Sequence, residues 1–461
     1  MPSFLSSLIL PLPAAYKLQL CGAALLLLLN AIELFTPISV VIHPGEPEEY
    51  VKTFSITRDP AFKVFRGLWS VVLLLGSMYL YLKSSRHAFL THSIPPFLPR
   101  CFPLVLLLLF LHQTLFAHRA ASLRVLRLAV QTVSAPFAPS TFLLGFLGDI
   151  FTSLVRPLQD LAFSLFFFLS FSRGWLSRSD GEVDAAAPVE SNYLLNTVII
   201  PACMISPLWW RFCQNLRRAY DTRTRWPHYG NAAKYFLAAE TALYALYDPE
   251  LKKTAFWVSL FVVATAYQIF WDIAMDWDLL RVDLPSPVPD PAVLFSTATH
   301  TLRLRPRRVF SSIPLYKTIL FSNVLLRFVW TLTLVPPKYL ADDGRLVTVF
   351  THQDQITPLL AGAEIVRRAM WGILRCEYEF LSQHEEPGEG ALEEEGGGGG
   401  FGMEVEMEKM RVGDGQGWLG GEAVERLGVP KLKDMSEAAV LLELGLMAAG
   451  FMVCSIIGAF R

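Results

Sequence analysis

Charged side chains recur at helical spacing inside apolar stretches of this sequence. The segment GAEIVRRAMWGILRCEYEF places its polar and aromatic residues at i, i+3, i+4, i+7 and i+11, on one face of a helix: Glu364, Arg367, Arg368, Trp371 and Arg375. A charge inside a bilayer is costly unless it faces a partner or water, so such residues mark functional sites by default. The arginine fork fits the oxygens of phosphate or carboxylate, which points to anion binding.

Four other apolar segments carry polar residues three or four positions apart. YQIFWDIAMDW aligns Gln268, Asp272 and Asp276 on one stripe of a helix. The other three segments contribute Asp149 with Thr152 and Ser153, Asn231 with Lys234, and Asn323 with Arg327, Trp330 and Thr331. We predict that these stripes share one polar interior, in which basic groups oppose acidic ones: Lys234, Arg327, Arg367 and Arg368 against Asp149, Asp272, Asp276 and Glu364.

A set of buried salt bridges that only fix helix positions is the alternative interpretation. The attraction within a buried pair often fails to offset its desolvation, and apolar replacements are often neutral. Charges on five helices therefore favour a polar pathway for a phosphate-like anion. Asp149 or Asp272 could accept the hydroxyl that phosphate retains near neutral pH. The same carboxylates could prevent the arginines from holding the anion too tightly for release.

Catalytic and metal sites find little support in the sequence. The nine histidines form no HExxH motif, and no GxSxG elbow or P-loop occurs. The six cysteines form no CxxC pair. The string Gly413-Asp414-Gly415-Gln416-Gly417 follows no strand, so we interpret it as a linker rather than a nucleotide loop. We predict no enzyme, no metal and no cofactor.

The composition indicates which elements position the charged residues. Of the 461 residues, 53% are hydrophobic and 18% are charged, and the net charge is −1. An ordinary soluble domain has roughly a quarter charged residues. The mean hydropathy of +0.39 excludes a disordered chain, a coiled coil and a basic nucleic-acid binder. We predict an all-α polytopic protein that resides in a lipid bilayer.

Apolar runs predict about nine or ten transmembrane helices. The runs cover residues 18–42, 67–82, 102–116, 142–154, 161–171, 193–210, 232–247, 254–275, 315–335 and 359–380, and an amphipathic surface helix is predicted at 120–133. A signal peptide is the alternative interpretation of the first run. A retained span is favoured because Lys17 is the only basic residue before the run and the apolar run continues past Asn30.

The chain divides into four parts by composition. They are N-terminal transmembrane helices with the surface helix (1–138), a transmembrane domain (139–382), an acidic glycine-rich linker (383–435) and a C-terminal apolar helix (436–461). The last run contains Glu443, so a span and a membrane-surface helix both fit it.

Four strings within roughly residues 140–382 resemble the EXS family: PLWWRFCQNLRRAYDTRTRWPHYGNAAKY, WDIAMDW, LLRFVWTLT and EIVRRAMWGILRCEYEF. The resemblance implies export of inorganic phosphate through a helical bundle with an arginine-lined path. Matched motif by motif, it implies that phosphate is bound by Asp149, Lys234, Asp272, Arg327, Trp330, Glu364, Arg367 and Arg368. Further candidates are Arg223, Arg225, Asp276 and Arg375.

Receptor-type members of this family carry an N-terminal SPX domain, whereas about sixteen residues precede the first apolar run here. In this respect the chain is similar to the ER-retention-defective branch, which implies a place in the Golgi or another endomembrane, with the plasma membrane as the alternative. The resemblance further implies return of luminal phosphate to the cytosol, with Golgi glycosyltransferases as candidate partners. A homodimer is a separate expectation. The alternative function is a non-transporting adaptor that retains glycosyltransferases and contacts them through the basic segment 211–225.

Overall fold

The computed structural model of this chain describes residues 119–139, 141–169, 192–247, 254–283, 291–297, 301–310, 312–329, 353–383 and 431–459. The runs predicted at 18–42, 67–82 and 102–116 lie outside these ranges, as do Trp330 and most of the acidic linker.

The described chain is mostly helical. Its α-helices are α1 (Arg119–Val133), α2 (Phe142–Thr152), α3 (Val155–Leu169), α4 (Ile200–Thr222), α5 (His228–Tyr247), α6 (Ala255–Phe270), α7 (Ile313–Arg327), α8 (Gln353–Gln383) and α9 (Glu437–Ala459). π-helical turns precede α4 at Leu195–Ile199 and follow α6 at Trp271–Asp276.

Where the structure describes them, the apolar runs predicted between residues 120 and 380 are helical, although their bounds differ from the prediction. α3 begins at Val155, before the predicted run, and α7 ends at Arg327. Threonine side chains cap the N-termini of α2 and α6. Thr141 Oγ1 accepts a hydrogen bond from Leu144 N at 3.3 Å, and Thr254 Oγ1 accepts one from Trp257 N at 3.2 Å.

Two of the described helices are long and apolar enough to cross a membrane. They are Ala255–Asp276, which joins α6 to its π turn, and Glu437–Ile457 in α9. The last apolar run of the sequence is therefore long enough to span, as one of its two interpretations required.

A small antiparallel sheet departs from the predicted all-α fold. Its strands are β1 (Leu280–Asp283), β2 (Val293–Ser296) and β3 (Thr301–Leu304), in the order β1-β3-β2. Leu280 pairs with Leu304, and Asp283 pairs with Thr301. Strands of four residues surrounded by prolines show no clear alternation of apolar and polar residues, so the sequence did not predict them.

Two apolar cores hold the bundle together. The first includes Phe146 of α2, Trp277, Leu304 of β3, Tyr316 of α7 and Trp371 of α8. The second joins α4, α5 and α9 through Phe212, Leu216, Tyr235, Leu444 and Phe451. Because these cores fix α2, α4, α5, α7 and α8, the polar side chains on the same helices have defined positions.

Candidate functional site

A cavity of about 200 Å³ lies among α2, α4, α5, α6, α7 and α8. Four of the predicted phosphate-binding residues line it: Lys234, Arg327, Glu364 and Arg368. The rest of the lining consists of Thr152, Leu208, Tyr235, Ala238 and Gln268. The polar stripes of at least three helices therefore do meet in one interior, as their spacing predicted.

Arg368 presents a cavity-lining guanidinium that is only loosely neutralised. Its Nε donates to Ser153 Oγ at 2.9 Å and its Nη2 donates to Thr152 Oγ1 at 3.0 Å. The carboxylate oxygen Glu364 Oε1 lies 3.9 Å from Nη2, beyond ordinary hydrogen-bond distance. The ring of Trp371 supports the guanidinium at 4.7 Å. Arg368 is thus held in place mainly by neutral groups and retains positive charge for an anion.

Lys234 provides a second loosely paired cation in the cavity. Its Nζ lies 3.8 Å from Asp276 Oδ2, which is an ion-pair distance but too long for a hydrogen bond. The rings of Tyr235 and Trp271 lie 4.7 and 5.5 Å from the ammonium group. Such aromatic faces stabilise a buried cation without neutralising it.

Asp272 is the acceptor on which three side chains converge. Its Oδ2 accepts from Arg327 Nη2 at 2.7 Å and from Asn323 Nδ2 at 3.1 Å, and Arg367 Nη1 lies 3.5 Å away. Arg327 also donates to Gln268. The aspartate side chain is 1% exposed. The predicted stripes of α6 and α7 therefore face each other through this carboxylate.

Arg367 is turned away from the cavity and is fully buried, at 0% exposure. Its Nε and Nη2 donate to the two oxygens of Glu364 at 2.7 and 2.6 Å, and its Nη1 donates to Asn323 at 3.1 Å. Ser153 donates to Glu364 at 2.8 Å. This bidentate pair fixes the carboxylate that lines the cavity beside Arg368.

Arg211 is a buried cation that the sequence reasoning missed, because it was grouped with the basic segment 211–225. The structure places it within α4, 6% exposed, where Nε and Nη2 donate to Asp149 Oδ1 and Oδ2, both at 2.9 Å. Tyr235 also donates to Asp149, and Arg211 Nη1 donates to Gln214 at 2.8 Å. The spacing of Arg211 and Gln214, one turn apart next to an apolar run, was the available signal.

The π turn after α6 gives Asp276 partners that differ from those of Asp272. Asp276 accepts from Trp371 Nε1 at 3.1 Å and faces Lys234. It lines a second, smaller cavity of about 40 Å³ together with Arg375. A π turn changes the number of residues per turn, so the single stripe predicted for Gln268, Asp272 and Asp276 is divided between two environments.

Arg223 and Arg225 are not brought to the 200 Å³ cavity. Arg223 pairs with Glu437, and Arg225 donates to Glu443 at 2.6 and 2.7 Å. Both acidic partners belong to α9. Trp330, another predicted phosphate-binding residue, lies outside the described residues.

The charges around the cavity leave a small positive excess. Among the described residues that line it, three are basic (Lys234, Arg327 and Arg368) and one is acidic (Glu364). In this part of the chain no three His, Cys, Asp or Glu side chains come together as metal ligands would. The arrangement suits an anion rather than a cation.

Gly148 allows the close approach of α4 to Asp149. A Cβ atom there would collide with Arg211 Cδ and lie 2.5 Å from Gln214 Oε1. We expect Gly148→Ala to lower the free energy of unfolding by about 1–3 kcal/mol, because overpacking forces both side chains to move. Gly445→Ala on α9 is the control, since a Cβ there meets nothing within 4 Å. Unfolding in detergent measures both, and equal stability of the two variants would contradict the expectation.

Comparison with known proteins identifies relatives of this chain. The model of the EXS family matches residues 24–381, which is well over half of the sequence and extends beyond the residues that carry the four motifs. SPX and EXS domain-containing protein 1 from Dictyostelium discoideum is 26% identical over 362 residues, which cover 75% of this chain and 35% of that protein.

Two further relatives carry names of receptors and carriers. Xenotropic and polytropic retrovirus receptor 1 homolog from Xenopus laevis is 30% identical over 268 residues. Solute carrier family 53 member 1 from Homo sapiens is 27% identical over 273 residues. Each match covers 56% of this chain and 35% of the relative, so the chain spans about a third of the length of these proteins.

Proposed function

This chain belongs to the EXS family, and we propose that it is a membrane protein that moves inorganic phosphate through the 200 Å³ cavity. The observation that carries the proposal is the pair of loosely neutralised cations, Lys234 and Arg368, that line that cavity. A relative named as a solute carrier supports transport rather than catalysis.

The cavity has the chemistry that a partly protonated phosphate requires. The guanidinium of Arg368 and the ammonium of Lys234 supply donors for the anionic oxygens. Glu364 is an acceptor for the hydroxyl that phosphate retains near neutral pH. Its carboxylate also opposes the two cations, which keeps phosphate from binding too tightly to leave.

Two of the three remaining arginines act on phosphate indirectly. Arg211 and Arg367 make bidentate bonds to Asp149 and Glu364, so their forks are already occupied. We assign them to holding the carboxylates in place. Arg327 lines the cavity but gives two of its nitrogens to Asp272, so we assign it a mixed role.

No observation favours the adaptor function. That hypothesis needed the segment 211–225 as an exposed basic surface. Arg211 is buried, Arg217 pairs with Asp221 on the same helix, and Arg225 is engaged by α9.

Location and partners form a finer part of the proposal. We propose residence in the Golgi and return of luminal phosphate to the cytosol, as the resemblance to the EXS family implied, and we propose assembly as a homodimer. Contact with glycosyltransferases belongs to the same proposal. Colocalisation of the tagged chain with Golgi markers tests the first point, and light scattering in detergent tests the second. Plasma-membrane staining alone would overturn the Golgi assignment.

Flux of labelled phosphate into liposomes that hold the purified full chain tests the function. We expect uptake down a phosphate gradient well above that of empty liposomes, with competition by arsenate, which has the same shape and charge. Uptake equal to that of empty liposomes under gradients of either direction would overturn the proposal.

A further inference from the structure

The C-terminal helix α9 lies beyond residue 381, where the family match ends, yet it packs on two helices of the cavity. Phe451 of α9 enters an aromatic cluster with Trp209 and Phe212 of α4 and Phe236 of α5, at ring-centroid distances of 5.1, 4.8 and 5.6 Å. Ser455 donates to Glu240 of α5 at 2.8 Å. α9 is therefore an integral part of this bundle.

Two carboxylates near the start of α9 hold the turn between α4 and α5. Glu443 accepts from Arg225 Nε at 2.7 Å, from Arg225 Nη2 at 2.6 Å and from Tyr229 Oη at 2.8 Å. Glu437 pairs with Arg223 and is more exposed, with 53% of its side chain accessible against 27% for Glu443. The more buried pair is the stronger constraint on the turn, because solvent screens it less.

The turn that Glu443 holds packs on the π turn after α6, which carries Asp272 and Asp276. Trp226 lies within the turn, and its ring contacts that of Trp271 edge to face at 5.7 Å. Gly230 makes this approach possible, since a Cβ there would lie 2.5 Å from Trp226 and 2.8 Å from Trp271. Tyr267 adds a hydrogen bond to Gly230 O at 2.9 Å.

Trp271 lines the 40 Å³ cavity and reaches the 200 Å³ cavity through its contact with Lys234, which lines the larger one. It precedes Asp272 in the chain, and its ring lies 5.5 Å from the ammonium of Lys234. A shift of the turn therefore moves both a cavity cation and the carboxylate that holds Arg327.

From these contacts we propose that Glu443 is a positioning residue for the anion cavity. Through Arg225 and Tyr229 it holds Trp226 against Trp271, and this contact sets the places of Lys234 and Asp272. Glu443 itself does not line the cavity. The measurement of phosphate flux that tests this inference rests on the proposed phosphate transport. The measurement of thiol labelling in the cavity does not.

The test compares Glu443→Gln with Glu437→Gln in the full chain. In liposomes, we expect Glu443→Gln to raise the half-saturating phosphate concentration about fivefold, and Glu437→Gln to leave it within about twofold of the unaltered chain. A role in folding alone would reduce the number of active copies without changing that concentration. The double variant Arg225→Glu/Glu443→Arg exchanges the two charges. It should bring the half-saturating phosphate concentration back to within about twofold of that of the unaltered chain.

A second readout does not depend on phosphate transport. Ala238 lines the cavity, so the Ala238→Cys thiol reports access by a charged thiol reagent after subtraction of the parent chain's labelling. Glu443→Gln should change this labelling rate severalfold, and Glu437→Gln should not. Tyr229→Phe removes one hydrogen bond to Glu443 and should change the labelling rate less, in the same direction. It replaces Glu443→Gln in the test if that variant does not fold. Equal labelling in all backgrounds would overturn the inference, even where the unaltered chain carries no phosphate.

Discussion

Replacement of Arg368 by alanine is expected to lower phosphate flux about 100-fold or more in reconstituted liposomes. The variant removes the guanidinium that lines the cavity and is held mainly by Ser153 and Thr152. Two charge-assisted hydrogen bonds to phosphate contribute about 1.5–3 kcal/mol each, and about 1.4 kcal/mol corresponds to tenfold. Folding should be preserved because Glu364 keeps its two bonds to Arg367.

Two matched variants make this expectation specific. Arg368→Lys retains the charge but loses the planar fork, so it should transport about tenfold less than the unaltered chain. Arg217→Ala removes a guanidinium from the half-exposed pair with Asp221 on α4 and should transport normally. Normal flux in folded Arg368→Ala would show that phosphate does not use this wall of the cavity.

Replacement of Asp272 by asparagine is expected to lower the free energy of unfolding by about 3–5 kcal/mol. The carboxylate is 1% exposed and faces the guanidinium groups of Arg327 and Arg367. Without it, two buried cations lose their shared counter-charge in a membrane domain, where no bulk water compensates. Unfolding of the purified protein by increasing SDS provides the measurement.

The control is Asp221→Asn, which breaks a surface pair on α4 worth about 0.3–0.5 kcal/mol. Addition of Arg327→Gln to Asp272→Asn should recover part of the lost stability, because one unpaired cation is then removed. If Asp272→Asn is as stable as the control, the network is not held by this carboxylate.

The helices and their polar faces could be predicted from the sequence because both depend on local spacing. The periodicity of the apolar runs located α5, α6 and α8 to within about six residues, whereas α4 continues to Thr222, well beyond the predicted run 193–210. The i, i+3 and i+4 positions of Glu364, Arg367 and Arg368 assigned them to one helix face, and two of the three do line the cavity. Because a charge in lipid has a high free-energy cost, these residues were identified as functional candidates.

The partners of each charge could not be predicted, because they depend on contacts between distant parts of the chain. Arg211 was interpreted as part of a basic loop, because its partner Asp149 lies 62 positions away in the sequence and local spacing could not reveal the pair. Arg223 and Arg225 were candidates for phosphate, yet they lie more than 210 positions from their acidic partners on α9. The sheet at residues 280–304 likewise exists only through strand pairing.

The sequence by itself thus determined that this is a helical membrane chain with arginines and carboxylates in its interior, since composition and periodicity are local properties. Only the tertiary structure decided which cations are neutralised and which still carry charge into the cavity. The physical reason is that a guanidinium 2.9 Å from a carboxylate and one 3.9 Å from a carboxylate have identical sequence signals but different capacity for an anion. That difference separates Arg211, which supports the site, from Arg368, which faces the proposed substrate.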